Sequence, residues 1–590
     1  MARWTEPQRT ELIEALESGA HRGLRHALQA EPGSASSVSL VEQLTACVSH
    51  FRPERHAALV DAVLALHWQQ RHKPHAAMPR AVMAFVQELV SATPSFLRQC
   101  IAVLTQSFLP AESDEADKQA SSKEADEVGP IVHEALEGIL KSCPIATDYV
   151  FDALKVSFPH KRRDAVAHVA YVAHCIAVLR YSPALLKRVV GLIIARMVEL
   201  DVEIALQQRQ LEDAEAEEED DPIFEVDLGD NISEELAKMR KNADKLDGMM
   251  ALMFEFISER CRRSVVVGSF EGMTTGGVLT GNEKLMGGDN ESERLLHALL
   301  IAFHESLLCT YKCRCVQFLI FFACSFSTRF TSAFTRFLLH QVGNEQIHAE
   351  ARIASAAYLA SFLARASFVP LSTVLPPLKH LLLWAERYQI ETISKLGGAP
   401  ARLDVALHGV FYAVMQGCLY LLCYKNSALG KPEAAGDREV IGELVGRIVK
   451  GPLNPLKFCQ DAVLIEFERL GVVQGVADII AANEGVAIDS RDVHGGENRL
   501  DDFFPFDPLL LKVSSTYIDP LYQVWAPPPR REERESEKSH FSESASDVSD
   551  MVARSLQDMS VTPGGHTPID DLEVIMRRRL AEQGRLLLHT

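Results

Sequence analysis

Apolar side chains recur every three or four residues along most of this chain, with polar side chains between them, as in Leu59, Val60, Val63, Leu64 and again in Val82, Phe85, Val86, Leu89. This spacing places the apolar side chains on one face of an α-helix. Pro79 and Pro94 suit the first turn or the boundary of such helices, because proline lacks the N–H that an interior position needs. The pattern therefore predicts a series of amphipathic helices.

The predicted helices follow one another at intervals of roughly 15–20 residues, with short turns that contain Pro144, Pro159 and Pro183. Such close spacing is typical of stacked helix pairs. We therefore predict an all-α protein built as a HEAT-like helical-repeat superhelix. Because no repeat is visible in the residue identities, a large irregular helical bundle is the alternative fold.

Interruptions of the apolar pattern divide the chain into segments. Residues 212–235 carry 13 acidic residues and no basic one, and such a charge run is typical of a solvated loop. The predicted segments are N-terminal helical repeats at 1–110, an acidic linker at 111–128, middle repeats at 129–210, a disordered acidic loop at 211–236, C-terminal repeats at 237–525, and a disordered tail at 526–590 in which 569–588 is a candidate helix.

Two local patterns resemble ligand sites but lack what those sites require. In the glycine-rich insertion at 264–293, two residues separate Gly281 from Lys284, whereas a phosphate loop needs the lysine directly after the glycine. We interpret the insertion as a mobile surface loop. Cys309, Cys313, Cys315 and Cys324 lie in a helical, Phe-rich pattern without the paired short spacing of zinc ligands. We predict that they are core cysteines.

Composition narrows the class of partner. The net charge of −20 argues against unspecific binding to nucleic acid, which needs clustered Lys and Arg, and favours basic partner surfaces. Twelve scattered cysteines indicate a reducing compartment, and the first residues show no secretory signal. The most apolar run, 316–326, is too short to span a membrane, so we predict a buried core helix there.

The sequence contains no recognisable catalytic motif. HExxH, GxSxG, a dinucleotide-binding GxGxxG and the kinase signatures are all missing. The 21 histidines are dispersed rather than paired with other catalytic residue types. We therefore favour an interaction protein over an enzyme, with no catalytic residue, no metal and no cofactor.

Residues 500–525, LDDFFPFDPLLLKVSSTYIDPLYQVW, form the most unusual stretch. They contain six aromatic residues, and Pro505, Pro508 and Pro520 prevent one continuous helix. Because so much apolar surface is rarely left in water, this closing segment should pack on a core or on a partner.

Residues 500–525 also resemble the signature of the RNA polymerase I-specific transcription initiation factors, the growth-regulated family that joins polymerase I to the promoter-bound core or selectivity factor. Three further blocks are similar to that family: VVGLIIARMVELDVEI (189–204) before the acidic run, KLDGMMALMFEFI (245–257) after it, and ARIASAAYLASFLARASFV (351–369) with the later NPLKFC (454–459). Their order and spacing agree over roughly residues 40–525.

The resemblance implies recruitment without catalysis. It implies an all-α superhelix that docks on RNA polymerase I near its stalk, bridges it to the core promoter or selectivity factor, and acts in the nucleus and nucleolus under phosphorylation control. It implies neither sequence-specific nucleic-acid binding nor a membrane, and a homodimer of the free protein stays an open alternative.

The resemblance also suggests site residues. A serine-bearing polymerase-binding face would use Ser91, Ser95 and Ser142, and the basic run Lys161, Arg162, Arg163 stands where hydroxyl-bearing residues are expected in relatives. The candidates for promoter-factor binding or for closing the fold are Phe503, Phe504, Phe506, Asp507, Leu511, Tyr522 and Trp525. The candidates for phosphorylation are Ser544 and Ser546 among acidic residues, and Thr562 and Thr567 before proline.

Two other function classes stay open on the sequence. A general helical-repeat scaffold or nuclear transport adaptor of the importin kind would carry ladders of Trp and Asn, yet the chain has four tryptophans. An enzyme would need a deep pocket with convergent carboxylates or histidines. The polymerase I factor is the leading hypothesis.

Overall fold

The computed structural model describes residues 6–18, 21–30, 34–66, 68, 76–110, 118–220, 225–268, 291–308, 310, 313–397, 399–484, 504–507, 509 and 511–524. These residues form α-helices joined by short turns, and the one β contact among them is an isolated antiparallel bridge between Ala366 and Tyr522. The prediction of an all-α protein is confirmed. The chain divides into two compact units, residues 1–193 and residues 194–590.

The first unit contains nine helices and the beginning of a tenth among its described residues. They are α1 Glu6–Glu17, α2 His21–Ala30, α3 Ala35–Thr45, α4 Pro53–Leu64, α5 Met78–Ala92, α6 Leu97–Gln106, α7 Lys118–Ser142, α8 Ala146–Val156, α9 Ala165–Tyr181 and α10 Leu186–Asp220. Side-chain caps fix some of their starts: Asp164 accepts from the Ala167 amide at 3.0 Å before α9. Pro79 lies in the first turn of α5 and Pro94 begins a 3-10 turn, as predicted.

Helices of the first unit pack on the helix two places further along the chain. The pairs α3 with α5, α5 with α7, and α6 with α8 make the most extensive of these contacts. Helices α4 and α5 point their predicted apolar stripes inward, so that Phe85 of α5 is fully buried with its ring 5.6 Å from Phe51. This order of packing is typical of stacked helix pairs.

The second unit begins at Ile194, within α10, and includes the closing segment. Its further helices are α11 Glu225–Gly268, α12 Glu291–Ala302, α13 Phe318–Ser325, α14 Thr328–Gly343, α15 Ala349–Arg365, α16 Leu371–Leu396, α17 Val405–Leu429, α18 Ala435–Val449, α19 Asp461–Leu470, α20 Val476–Glu484 and α21 Ser515–Ile518. The buried core helix predicted at 316–326 is confirmed, because residues Phe318 to Cys324 of α13 are all buried.

The most extensive helix contact in the described residues joins α15 and α17. A Cβ atom on Gly417 would lie 2.9 Å from the Cβ of Ala360, closer than side chains approach in proteins. Small residues on both helices therefore allow their backbones to come together. Helix α17 is long and apolar enough to cross a membrane, but 78% of its most apolar window is buried inside the fold, as in a core helix.

Helical backbone extends into three segments that the sequence analysis assigned to linkers or loops. Helix α7 begins at Lys118, inside the predicted acidic linker, because residues 118–128 are mostly good helix formers without proline. Helix α10 runs to Asp220 and α11 begins at Glu225, so residues 221–224 of the predicted acidic loop lie outside the described residues. The glycine-rich insertion is described only at its helical ends, and the tail from residue 525 lies outside the described residues.

Candidate docking surfaces

The closing segment lies in the core of the second unit. Phe506 is fully buried, and its ring contacts Phe321 at 5.2 Å and Phe318 at 5.5 Å on α13, with Tyr358 and Phe362 of α15 on its other side. These ring pairs are edge-on or tilted, the arrangements that aromatic quadrupoles favour. The geometry makes Phe506 the central apolar contact between the closing segment and α13 and α15.

Neighbouring residues of the segment extend this contact to α17 and α11. The Phe504 ring stacks on Tyr420 at 4.0 Å, and the Tyr517 ring lies 5.3 Å from Phe254. Leu511 is buried as well. The segment thus crosses helices that lie far apart in sequence. We call residues 500–525 the strap.

Hydrogen bonds fix the backbone of the strap. The Phe506 amide donates to Ser361 Oγ at 3.1 Å, and the Tyr522 hydroxyl donates to the Phe506 carbonyl at 2.8 Å. The amides of Val513 and Ser514 both donate to the Asp247 carboxylate at 2.8 Å. Proline-rich backbone cannot satisfy its polar groups in a helix, so these side chains supply the partners that burial requires.

Two buried cations hold the end of the strap. Arg365 is fully buried, with its guanidinium 4.8 Å from the Tyr424 ring, 5.3 Å from the Tyr522 ring, and 3.8 Å from Asp507. Lys425 donates to Gln523 Oε1 at 2.8 Å and to the Ala364 carbonyl at 3.1 Å, and burial lowers the pKa of its ammonium to about 8.

Neither cation was predicted from the sequence. Each stands in an otherwise apolar helical run, and a lone cation in such a run is the signal that could have found them. Two predicted strap residues, Phe503 and Trp525, lie outside the described residues, as do the phosphorylation candidates Ser544, Ser546, Thr562 and Thr567.

The three candidate serines lie at turns between paired helices of the first unit. Ser91 is exposed at the end of α5, Ser95 is exposed in the 3-10 turn before α6, and Ser142 is exposed at the end of α7. We call the surface formed by these turns the serine face. Exposed Ile145, 62% accessible, adds apolar area to it.

Cation–aromatic and ion-pair contacts join the starts of helices α6, α8 and α10 next to the serine face. The Arg98 guanidinium of α6 lies 5.6 Å from the Tyr149 ring of α8. Arg188 of α10 lies 4.0 Å from the Phe151 ring and pairs with Asp148 at 2.5 Å. The starts of α6, α8 and α10 are therefore neighbours on one edge of the unit.

The basic candidates lie at the opposite end of α8. Lys161 and Arg162 are exposed in the turn after this helix, and half-buried Arg163 donates to the Pro110 carbonyl at 2.8 Å. With 11 residues in α8, this turn is about 16 Å from Ser142 along the helix axis. The six candidates thus form two separate surfaces, and the basic turn also exposes Val156 and Val166.

A half-buried histidine pair in the first unit was not anticipated. His133 Nε2 lies 3.0 Å from His174 Nδ1, and His133 Nδ1 lies 2.8 Å from the Tyr181 hydroxyl. Burial lowers the pKa of His133 to about 4, with the neighbouring His174 and Arg180 contributing in the same direction. Both imidazoles stack on the buried ring of Phe108, so they belong to the packing of the first unit.

The four predicted core cysteines differ in burial. Cys313 and Cys324 are buried, and burial raises the pKa of both thiols, while Cys309 lies outside the described residues. Cys315 is half-buried, and its amide donates to Asp201 at 2.8 Å. Within the described ranges, no three His, Cys, Asp or Glu side chains come together as metal ligands would.

Comparison with known proteins gives a consistent family. The chain matches the family "RNA polymerase I specific transcription initiation factor RRN3" over residues 10–530. It is 29% identical to the RNA polymerase I-specific transcription initiation factor RRN3 of Mus musculus over 86% of this chain and 79% of that protein. It is 25% identical to the rrn3 factor of Schizosaccharomyces pombe, over 87% and 84% of the two chains.

The fold has a counterpart among solved structures. The crystal structure of RNA polymerase I transcription initiation factor Rrn3 superposes with a TM-score of 0.65 and 19% identity, over 87% of this chain and 96% of that chain. At this identity the likeness establishes the fold, and the family match over residues 10–530 establishes the kinship. The chain belongs to the RNA polymerase I specific transcription initiation factor RRN3 family.

Proposed function

We propose that this protein binds RNA polymerase I near its stalk and recruits it to the promoter-bound core or selectivity factor at ribosomal RNA genes. The observation that carries the proposal is the family match across residues 10–530, which includes both helical units and the strap. A role at these genes requires a nuclear protein, and we propose the nucleolus as its location.

We assign polymerase docking to the serine face. Its exposed hydroxyl groups lie beside the apolar side chain of Ile145 and the guanidinium of Arg98, a mixture of polar and apolar groups that suits a regulated interface. A phosphate would add a charge of about −1.5 to −2 to this surface, which opposes docking through repulsion and desolvation. Phosphorylation of Ser91, Ser95 or Ser142 would then switch recruitment off.

The direct test is recovery of polymerase I from a matched nuclear extract on the immobilised full chain. We expect the double variant Ser91→Asp/Ser95→Asp to retain about a tenth or less of the polymerase, since each added charge in a docked surface costs on the order of 1 kcal/mol. Ser39→Asp, an exposed serine on α3 of the same unit, is the matched control and should bind like the unchanged chain.

Two results would contradict the assignment. Equal recovery by the double variant and the unchanged chain would remove the serine face from the interface. Recovery of a different polymerase by the unchanged chain, without polymerase I, would remove the proposed function and favour a general helical scaffold.

A further inference from the structure

A groove of about 1010 Å³ runs along one face of α18 in the second unit. Its other walls are the end of α17 and the turn after α19. Glycines on α18 let that turn approach the helix backbone: a Cβ on Gly442 would lie 3.3 Å from the Val472 carbonyl oxygen, and one on Gly446 would lie 3.6 Å from a Val473 methyl. The groove wall therefore contains half-exposed glycines and the half-exposed side chains of Val472 and Val473.

The side chains along the groove are mainly cationic. Lys431, Arg438, Arg447 and Lys450 line it, against two carboxylates, in a chain whose net charge is −20. Arg447 pairs with Glu386, but among the residues that the structure describes no carboxylate lies within ion-pair distance of the other three cations. Arg438 and Lys450 are separated by about 18 Å along α18. This charge pattern fits an extended acidic peptide.

The described chain ends close to this groove. Gln523, the residue before Val524, accepts a hydrogen bond from Lys425 at 2.8 Å. Lys425 lies one helical turn before Leu429, where the groove begins. The described part of the strap therefore ends near the entrance of the groove.

The tail contains a segment of matching chemistry. Residues 541–552, FSESASDVSDMV, carry three acidic residues, Glu543, Asp547 and Asp550, and no Lys or Arg. In an extended backbone, Glu543 and Asp550 are about 23 Å apart, comparable to the spacing of the groove cations. Phe541, Val548 and Met551 supply apolar side chains for the Val472 and Val473 wall.

We propose that residues 541–552 of the chain's own tail bind in the α18 groove. A tethered segment meets its site at an effective concentration in the millimolar range, so modest intrinsic affinity is sufficient. Ser544 and Ser546 lie inside the segment, and a phosphate on either adds negative charge facing the groove cations. Phosphorylation there strengthens the contact, in contrast to its proposed effect on the serine face.

The test measures competition between the tail and a free peptide. A fluorescein-labelled peptide of residues 541–552 is titrated with two full-length chains by anisotropy: the unchanged chain and the tail variant Glu543→Gln/Asp547→Asn/Asp550→Asn. We expect the tail variant to bind the peptide about tenfold more tightly, because its own tail no longer occupies the groove. The peptide phosphorylated at Ser544 and Ser546 should bind more tightly still.

Groove variants locate the binding. In the tail-variant background, Lys431→Glu/Lys450→Glu should weaken peptide binding at least tenfold, whereas Lys155→Glu, an exposed lysine in the first unit, should leave it unchanged. Both groove lysines are exposed, so an unchanged melting temperature is the check that the variant folds. Equal affinity of the unchanged and tail-variant chains, no binding to either, or indifference to the groove substitutions would each overturn the proposal. None of these results bears on polymerase binding.

Discussion

At the residue scale, burial rather than residue type decides which groups matter most. Phe506 and Val524 both belong to the strap, yet the first is fully buried and the second is 62% exposed. Replacing a buried Phe removes its transfer free energy and leaves a cavity, whereas trimming an exposed Val does neither. The two residues therefore form a matched pair for testing the strap.

We predict that Phe506→Ala lowers the free energy of unfolding by ~3–5 kcal/mol. Chemical denaturation of the full chain, followed by circular dichroism, measures this change. Val524→Ala is the control and should change stability by less than about 0.5 kcal/mol. Unchanged stability of Phe506→Ala with loss of promoter-factor binding would instead make the strap an interface.

The lowered pKa of half-buried His133 predicts a pH dependence of stability. Because its pKa falls from 6.5 to about 4 on folding, the unfolded chain takes up a proton that the folded chain refuses between these values. The contribution of His133 to the free energy of unfolding is therefore fully present above about pH 6.5, and it decreases as the pH falls toward 4. We expect the first unit to lose roughly 1–2 kcal/mol at pH 5 through this group.

Hydrogen exchange of the first unit between pH 5 and pH 8 would measure that loss, after correction for the intrinsic rate. His133→Gln removes the titrating group and should flatten this part of the profile. An equally steep profile in the variant would assign the pH dependence to other residues.

At the element scale, the contact between α15 and α17 depends on side-chain size. We predict that Gly417→Leu lowers the free energy of unfolding by about 2–3 kcal/mol or more, because the added side chain meets Ala360 in a packed core. Gly436→Ala on α18 is the control: no atom lies within 4 Å of its added Cβ, so it causes no clash and should leave stability unchanged or raise it by up to about 1 kcal/mol through helix propensity. Equal effects of the two substitutions would show that helix propensity, and not packing, is being measured.

At the scale of the whole molecule, charge distribution sets the partner surfaces. The basic turn with Lys161 and Arg162 is exposed in a protein of net charge −20, so its charge suits an acidic partner surface. We predict that Lys161→Glu/Arg162→Glu weakens polymerase I binding severalfold at low salt and less at high salt. Binding measured at two ionic strengths tests this.

Lys395→Glu, an exposed cation at the end of α16, is the control for that experiment and should show neither effect. Equal binding by the double variant and the unchanged chain at both ionic strengths would leave the basic turn without a role in docking.

The sequence by itself determined the helical class, the core helix at α13 and the family, because periodicity and local motifs are properties of neighbouring residues. It also indicated that the strap should pack on a core or on a partner. Only the tertiary structure decided where: Phe506 meets α13 and α15, and Asp247 caps a backbone more than 260 residues away in sequence.

Because local patterns do not reveal long-range contacts, several buried or half-buried polar residues could not be predicted from the sequence. The roles of Arg365, Lys425 and the His133–His174 pair depend on partners from other helices, which periodicity does not identify. The separation of Ser142 from Lys161 was also invisible, because residues 19 positions apart are joined by a rigid helix that holds them at opposite ends. Local pattern fixed the elements, and long-range packing fixed which side chains share a surface.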